Sequence, residues 1–302
     1  MYFTASLQSY KKLQIIRILF LSIGSLLFST NAYSATVLVD DNFDSGSTAV
    51  LGSQSGGSVS ISTDTSQNYN NSAGSVRGNY PTPTGGSYGW AVYYLSGQNI
   101  NEVLIEFDAK MPNAKQGLKF LKIFSGASSN TNYNNTTFSL DYAASPKGGI
   151  NQIGFGDGVN TANDSQNVIN LNGSYPEWIG RSYGNAIVNT PQGDGFPVSL
   201  WGTGWHNFKF YVKYNSGTTP SNEVADGAFY LEVDGKIYAH ATGLFNRHYS
   251  NMPIDRIELF GWAQGGGSAF DIWYDNVKIT TGTGIPQLVM PNSPTQLQGS
   301  SN

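Results

Sequence analysis

Three features of this 302-residue chain predict an all-β fold, a sandwich of two antiparallel sheets. Nearly every apolar run is of strand length and rich in β-branched or aromatic residues. The spaces between runs are filled with Gly, Ser, Asn and Thr, with 36 glycines in all, as frequent turns require. No stretch has an apolar stripe long enough for an amphipathic helix of four turns. About 250 residues of folded chain is enough for one such domain with a substantial core.

The strands follow in order. Thr36–Val39 is β-branched at every position but Leu38, and Ser58–Ser62 alternates small polar and apolar residues. Gly89–Leu95 and Asn101–Lys110 are longer runs with apolar residues at alternate positions. Leu118–Phe124, Thr137–Ala143 and Ile150–Gly154 continue the pattern. Trp205–Tyr214, Ala228–Val233, Lys236–Thr242, Asp255–Trp262 and Phe270–Thr280 complete it. Between two of these runs, Asp234-Gly235 is a two-residue hairpin turn in which both residues favour positive φ. Residues Asn163 to Phe196 carry few periodic runs and several aromatics, and are expected to form long loops over one face.

The ends read differently. Lys11, Lys12 and Arg17 precede an apolar run, ILFLSIGSLLF at 18–28, and small residues at 32–35 suit cleavage after Ser34. Residues 1–34 are thus expected to be a secretory signal peptide, placing the product outside the cell or in the periplasm. The apolar run is short of the ~20 residues of a membrane span, and no later segment is long enough. The folded domain is expected over 35–283. Residues 284–302, GIPQLVMPNSPTQLQGSSN, then form a flexible tail or the start of a further module; PNSPTQL resembles the opening strand of a fibronectin type III domain.

Without its leader the chain holds 13 basic and 20 acidic groups, a net charge of −7. That balance argues against nucleic acid or an anionic membrane as partner. There is no cysteine, which excludes disulfides, thiolate metal sites and a Cys nucleophile. A monomer is expected.

The most specific residues lie in the C-terminal half: GWHNFKFYVKYNSG at 204–217, DGAFYLEVDGKIYAHATG at 226–243, IDRIELFGW at 254–262 and AFDIWYDNVKI at 269–279. With the opening VDDNFDSG at 39–46, their order resembles the concanavalin A-like, laminin-G-like jelly-roll superfamily over most of 36–281. Within it, GLKFLKIFSG at 117–126, between VLIEFDAKMP and the Trp-His strand, is similar to secreted polysaccharide lyases. The resemblance implies a concave sheet forming a sugar groove, with Lys119 or Lys122 projecting into it. It implies fold more than reaction.

The residues themselves set a problem in GLKFLKIFSG. Strict alternation puts Leu118, Phe120, Lys122 and Phe124 on one face and Lys119, Leu121, Ile123 and Ser125 on the other. One lysine must then stand among apolar neighbours, where it lines a ligand groove or neutralises a carboxylate. Cleaving a uronate polymer by β-elimination needs a cation at the carboxylate, a base for the carbon-bound proton and an acid for the leaving oxygen. Lys119, Lys122, His248 and Tyr249 are the catalytic candidates; Arg247, Arg181, Trp178 and Tyr183 are candidates for substrate contact. For Arg247-His248-Tyr249 a solvated turn is the plainer reading.

Other chemistries are less complete. Glu106 and Asp108 share a face, but Lys110 and Met111 follow where a glycosidase of this fold needs a further carboxylate. His206 reads as part of strand packing, and three scattered histidines make no zinc site. No cofactor is required. A structural calcium is a candidate, because Asp41 or Asp44 can share an ion with Asp275 if the first and last strands are neighbours. Turn chemistry explains the same aspartates. The Tyr- and Trp-rich segment 80–94 offers rings on which sugars stack, although most rings are expected in the core. The expected partner is a polysaccharide, engaged by a lyase or by a non-catalytic binding or adhesion module; a purely structural surface protein is the third class.

Overall fold

In a strand, side chains alternate between faces, so runs that alternate apolar and polar residues become strands with one buried face. The computed structural model describes residues 34–54, 59–81, 87–95, 97–110, 118–125, 136–143, 149–155, 167–170, 177–179, 187–189, 202, 204–217, 222, 224–244, 246, 253–263, 268–284 and 286. The expected leader, except Ser34, and nearly all of the expected tail lie outside them. No helix among the described residues is long and apolar enough to cross a membrane.

The described residues form eighteen strands: β1 (Thr36–Asp41), β2 (Val50–Gln54), β3 (Ser60–Asp64), β4 (Ser75–Tyr80), β5 (Ser87–Tyr94), β6 (Glu102–Lys110), β7 (Leu118–Ser125), β8 (Thr136–Ala143) and β9 (Gly149–Phe155), followed by nine more. These are β10 (Asn167–Asn170), β11 (Glu177–Ile179), β12 (Ile187–Asn189), β13 (Trp205–Lys213), β14 (Gly227–Val233), β15 (Lys236–Leu244), β16 (Ile254–Leu259), β17 (Trp262–Ala263) and β18 (Phe270–Thr281). They build two antiparallel sheets. The first runs β12-β15-β14-β13-β6-β18-β4-β3, with β1 also on β18. The second runs β11-β10-β9-β8-β7-β16-β5-β17, with β2 also on β5. The fold is the predicted jelly-roll β-sandwich.

One core joins the two sheets. Val103, Ile105 and Phe107 of β6, Phe208 and Phe210 of β13, and Ile272 and Tyr274 of β18 meet Ala91, Tyr93, Leu121, Ile123, Ile257 and Leu259 of the second sheet. Rings set its spacing: Phe107 stacks on Phe208 at 4.9 Å, and Phe260 meets Tyr274 edge-on at 4.6 Å. Phe260 has φ 63°, costly for a bulky side chain, and its ring is fully buried. Gly78 makes the space for it, since a Cβ there would lie 2.4 Å from the Phe260 ring.

Several expectations hold in detail. Asp234 (φ 52°) and Gly235 (φ 75°) make the tight turn between β14 and β15, and β1 pairs with β18. Others are corrected. The stretch 163–196 is not loop throughout; β10 pairs with β9 and β11, and β12 pairs with β15. Strands of three or four residues are too short to show a period, and the edges of longer strands recruit them. β2 and β4 go beyond the predicted strands: VLGSQ and SVRGNY carry glycines where aromatic rings need room, Gly52 beneath Trp90 of the neighbouring β5 and Gly78 beneath Phe260 of the facing sheet. The expected Asp255–Trp262 strand breaks at Phe260-Gly261 into β16 and β17.

Strict alternation in β7 is also corrected. Lys119 pairs with Asp141 but Leu121 pairs with Leu140, so Phe120 is an extra residue, a β-bulge. Leu118 and Leu121 both enter the core, three positions apart. Lys119 and Lys122 therefore share the opposite face rather than lying on different ones. Gly261 packs against this bulge: a Cβ there would lie 1.6 Å from the Lys119 carbonyl oxygen. Gly261→Ala is expected to lower stability by about 1–3 kcal/mol through overpacking, read as a fall in the midpoint of thermal unfolding.

Candidate functional site on the second sheet

The face of the second sheet turned from the core carries the largest buried charge cluster among the described residues. Three adjacent strands supply it: Tyr88 and Trp90 from β5, Lys119, Lys122 and Phe124 from β7, and Arg256 and Glu258 from β16. Register places them, with Lys122 opposite Glu258 and Phe124 opposite Arg256. On the other side of β16, Glu258 pairs with Val92 and Arg256 with Tyr94.

Lys122 is 2% exposed. Its Nζ lies 3.2 Å from Glu258 Oε2 and donates to Tyr88 Oη at 2.8 Å. Tyr88 Oη in turn donates to Glu258 Oε2, closing a triangle. The ammonium also sits 4.1 Å from the Tyr88 ring centroid and 5.2 Å from that of Phe124. Arg256 covers the Phe124 ring at 3.9 Å and reaches Glu258 Oε1 at 3.4 Å. Burial lowers the Lys122 pKa to about 8; Glu258 opposes the shift, and Lys119 and Arg256 add to it. Lys119 is half-buried on the same face.

Beside the cluster, the Trp90 ring lies 5.6 Å from that of Tyr88. Gly52 of β2 stands opposite Trp90, and a Cβ there would lie 2.4 Å from indole carbons. The glycine lets the indole lie over the neighbouring backbone. Trp90 and Tyr88 remain half-buried, and Tyr94 is exposed. Here the sequence reading is refined: the lysine among apolar neighbours is Lys122, and it neutralises a carboxylate instead of lining a groove. Tyr88, Arg256 and Glu258 were not singled out as site residues. Their only signal was alternation in SYGWAVYY and IDRIEL, which places them on the face away from the core.

The remaining candidates fall elsewhere. Arg247, His248, Tyr249, Arg181 and Tyr183 lie outside the described residues; Trp178 lies in β11, paired with Ile169. Asp41, Asp44 and Asp275 each accept hydrogen bonds from the protein. Asp41 accepts hydrogen bonds from Phe43 N, Thr48 N, Thr48 Oγ1, Ser47 Oγ and Tyr93 Oη. Asp44 accepts from Gly74 N, Ala73 N and Asn42 Nδ2. Asp275 accepts from Tyr69 N, Ser72 Oγ and Asn276 N. Asp41 stands opposite Val277, which points into the core, whereas Asp275 stands opposite Asp108 on the outer face; a bulge at Asn276 (φ 49°) separates them. No group of three or more potential metal-ligating side chains occurs among the described residues.

Glu106 and Asp108 share the outer face of the first sheet, as expected. Asp108 is held by Asn207 and Asn276, and burial raises its pKa. Glu106 stands between Lys209 and Lys278 in register. His206 Nδ1 lies 2.7 Å from Asp234 Oδ2 at the hairpin turn.

No protein-family model and no curated protein sequence matches the chain. Solved structures do. An endo-β-1,4-glucuronan lyase from the fungus Trichoderma reesei matches with TM-score 0.52 and 12% identity, over 82% of this chain and 96% of that one. An alginate lyase from Chlorella virus matches with TM-score 0.48 and 13% identity, over 82% and 100%. The globular domain of T. cruzi calreticulin matches with TM-score 0.49 and 10% identity, over 81% and 88%. The chain has the concanavalin A-like jelly-roll fold, a fold it shares with polysaccharide lyases.

Two outcomes are expected from the buried pair. Lys122→Met leaves Glu258 with one fewer cation and is expected to cost about 3–5 kcal/mol, whereas Lys122→Met with Glu258→Leu recovers much of the loss; urea unfolding measures both. Because the folded pKa of about 8 lies below the ordinary 10.5, the unfolded state holds more protons between these values. Wild-type stability is therefore expected to rise from about pH 8 to 10.5 relative to Lys122→Met, checked by unfolding across that window.

Proposed function

We propose that the protein is an exported, polysaccharide-engaging β-sandwich, and that the outer face of its second sheet cleaves a uronate-containing glycan by β-elimination. The observation that carries this reading is the convergence of Lys119, Lys122 and Tyr88 on one sheet face beside Trp90. The fold shared with a glucuronan lyase is consistent with it.

The chemistry assigns roles by exposure. Lys119, half-buried on the open side, neutralises the uronate carboxylate and so acidifies the adjacent C–H. Lys122 is too deeply buried to touch a polymer; its ammonium and Glu258 fix the position of the Tyr88 hydroxyl. Tyr88 is then the group placed to move a proton. The carbon-bound proton passes to a base, the C–O bond to the leaving sugar breaks as a C=C bond forms, and the leaving oxygen takes up a proton. Trp90 offers a ring face to a sugar.

A second reading, a carbohydrate-binding module without catalysis, is favoured by the closed Lys122–Tyr88–Glu258 triangle, in which each group already has its partner. Polyuronates and neutral polysaccharides incubated with the protein separate the two. Lyase action is expected to raise near-ultraviolet absorbance and reducing ends together on a polyuronate, with Tyr88→Phe and Lys119→Ala each lowering kcat/KM by roughly 100-fold or more. Reducing ends without absorbance would sink the lyase reading in favour of hydrolysis. Silence in both, with retention on the polymer, would leave the binding module.

A further inference from the structure

The opposite face of the sandwich carries a second arrangement that the site above does not use. Cross-strand register in the first sheet aligns Trp205 of β13, Lys110 of β6, Trp273 of β18 and Arg77 of β4 in one continuous row. Paired residues share a face, and here it is the outer one: Ala109, Ile272, Tyr274 and Val76 beside them enter the core. All four side chains are half-buried.

The row is built rather than accidental. Lys110 Nζ lies 5.1 Å from the Trp273 ring centroid and Arg77 Cζ 5.8 Å from it. Arg77 is fixed by Asp271 at 2.9 Å, and Trp273 Nε1 donates to Asp64 at 2.9 Å. The segment between β3 and β4 crosses this face: its Tyr69 ring lies 5.9 Å from Trp205, and its Gln67 side-chain oxygen accepts from Lys110. Lys110 contacts an amide oxygen and an indole but no carboxylate among the described residues. The two indoles stand two strand spacings apart, roughly 10 Å, a span on the order of two sugar rings in an extended chain.

We propose that this row is a second polysaccharide-binding surface that holds an acidic glycan chain without cleaving it. Trp205 and Trp273 stack sugar rings, and Lys110 between them meets a sugar carboxylate. Asp271 and Asn79, joined by a 2.7 Å hydrogen bond, present polar groups to hydroxyls at one end. The surface stands on its own residues and does not require the second sheet to be catalytic.

Affinity electrophoresis of the full protein in native gels containing alginate, polygalacturonate or hydroxyethylcellulose tests this. The native protein is expected to be retarded by a polyuronate and much less by the neutral polymer. Lys110→Gln and Trp205→Ala, each checked for an unchanged unfolding midpoint, are expected to weaken retardation roughly fivefold or more, the size of one lost cation or ring contact. Lys110→Gln, a surface change, keeps the test valid if Trp205→Ala fails to fold. Lys119→Ala reports on the other sheet separately. Loss of retardation in Lys119→Ala alone would overturn this surface and leave the lyase reading standing. Loss in Lys110→Gln but not in Lys119→Ala would support it whatever the outcome for catalysis. No retardation of the native protein, or equal retardation by the neutral polymer, would overturn it.

Discussion

An ammonium ion taken out of water loses several kcal/mol of solvation unless charge and hydrogen bonds replace it. Lys122 meets that demand with partners from three strands: Glu258 on β16, Tyr88 on β5 and Phe124 on its own strand. The cluster therefore ties the middle of the second sheet together on the side where no sandwich core exists to do so. A slip of one residue between β7 and β16 would bury Lys122 without its carboxylate, and one between β16 and β5 would displace Tyr88 from it. Register is strongly specified where a slip sends side chains to the wrong face, and the buried ion pair adds that constraint on the outer face.

The bulge at Phe120 serves the same arrangement. Without it, Lys119 would point into the core beside Leu121, where no carboxylate waits. With it, both lysines leave the core, and Leu118 and Leu121 enter it together. Gly261 allows the bulged backbone to approach, and the left-handed Phe260 next to it anchors the turn with a buried ring. The local deformation of β7 is thus supported by residues more than 130 positions away in sequence.

That separation explains what sequence reasoning reached and what it missed. The long strands and the Asp234-Gly235 turn follow from local pattern, and the pairing of first with last strand is what the jelly-roll resemblance of the segments 204–279 implies. That a lysine must stand on an apolar face was also legible, with a groove as the favoured answer and a carboxylate, the one Lys122 has, as the other. Which carboxylate was not, because Lys122 and Glu258 meet only through register. The bulge left no trace in GLKFLKIFSG, where alternation fits as well as the true arrangement. Likewise β4 was overlooked because Gly78, the residue that weakens its strand pattern, is there for the Phe260 ring. Asp41, Asp44 and Asp275, the aspartates expected to suit calcium, also organise turns and strand ends by accepting N–H and O–H donors.

Aspartates held in this way also bear on the charge of the protein as a partner for glycans. A net charge of −7 for residues 35–302 suggests repulsion of acidic polymers. Yet charges interact across a Debye length of about 8 Å at physiological salt, so a ligand responds to its immediate surroundings and not to the total. Asp41, Asp108 and Asp275 are buried at 4% exposure or less, with their oxygens turned to internal donors. Lys119 and Lys110 instead stand half-buried on the outer faces of the two sheets, Lys110 beside the Trp273 ring. With that part of the acidic charge turned to internal donors, the field beside each lysine is less negative than the total of −7 suggests. The outer face of the first sheet still holds carboxylates, Asp271 on Arg77 and Glu232 on Lys209, so what distinguishes Lys110 there is its contact with an indole and an amide oxygen.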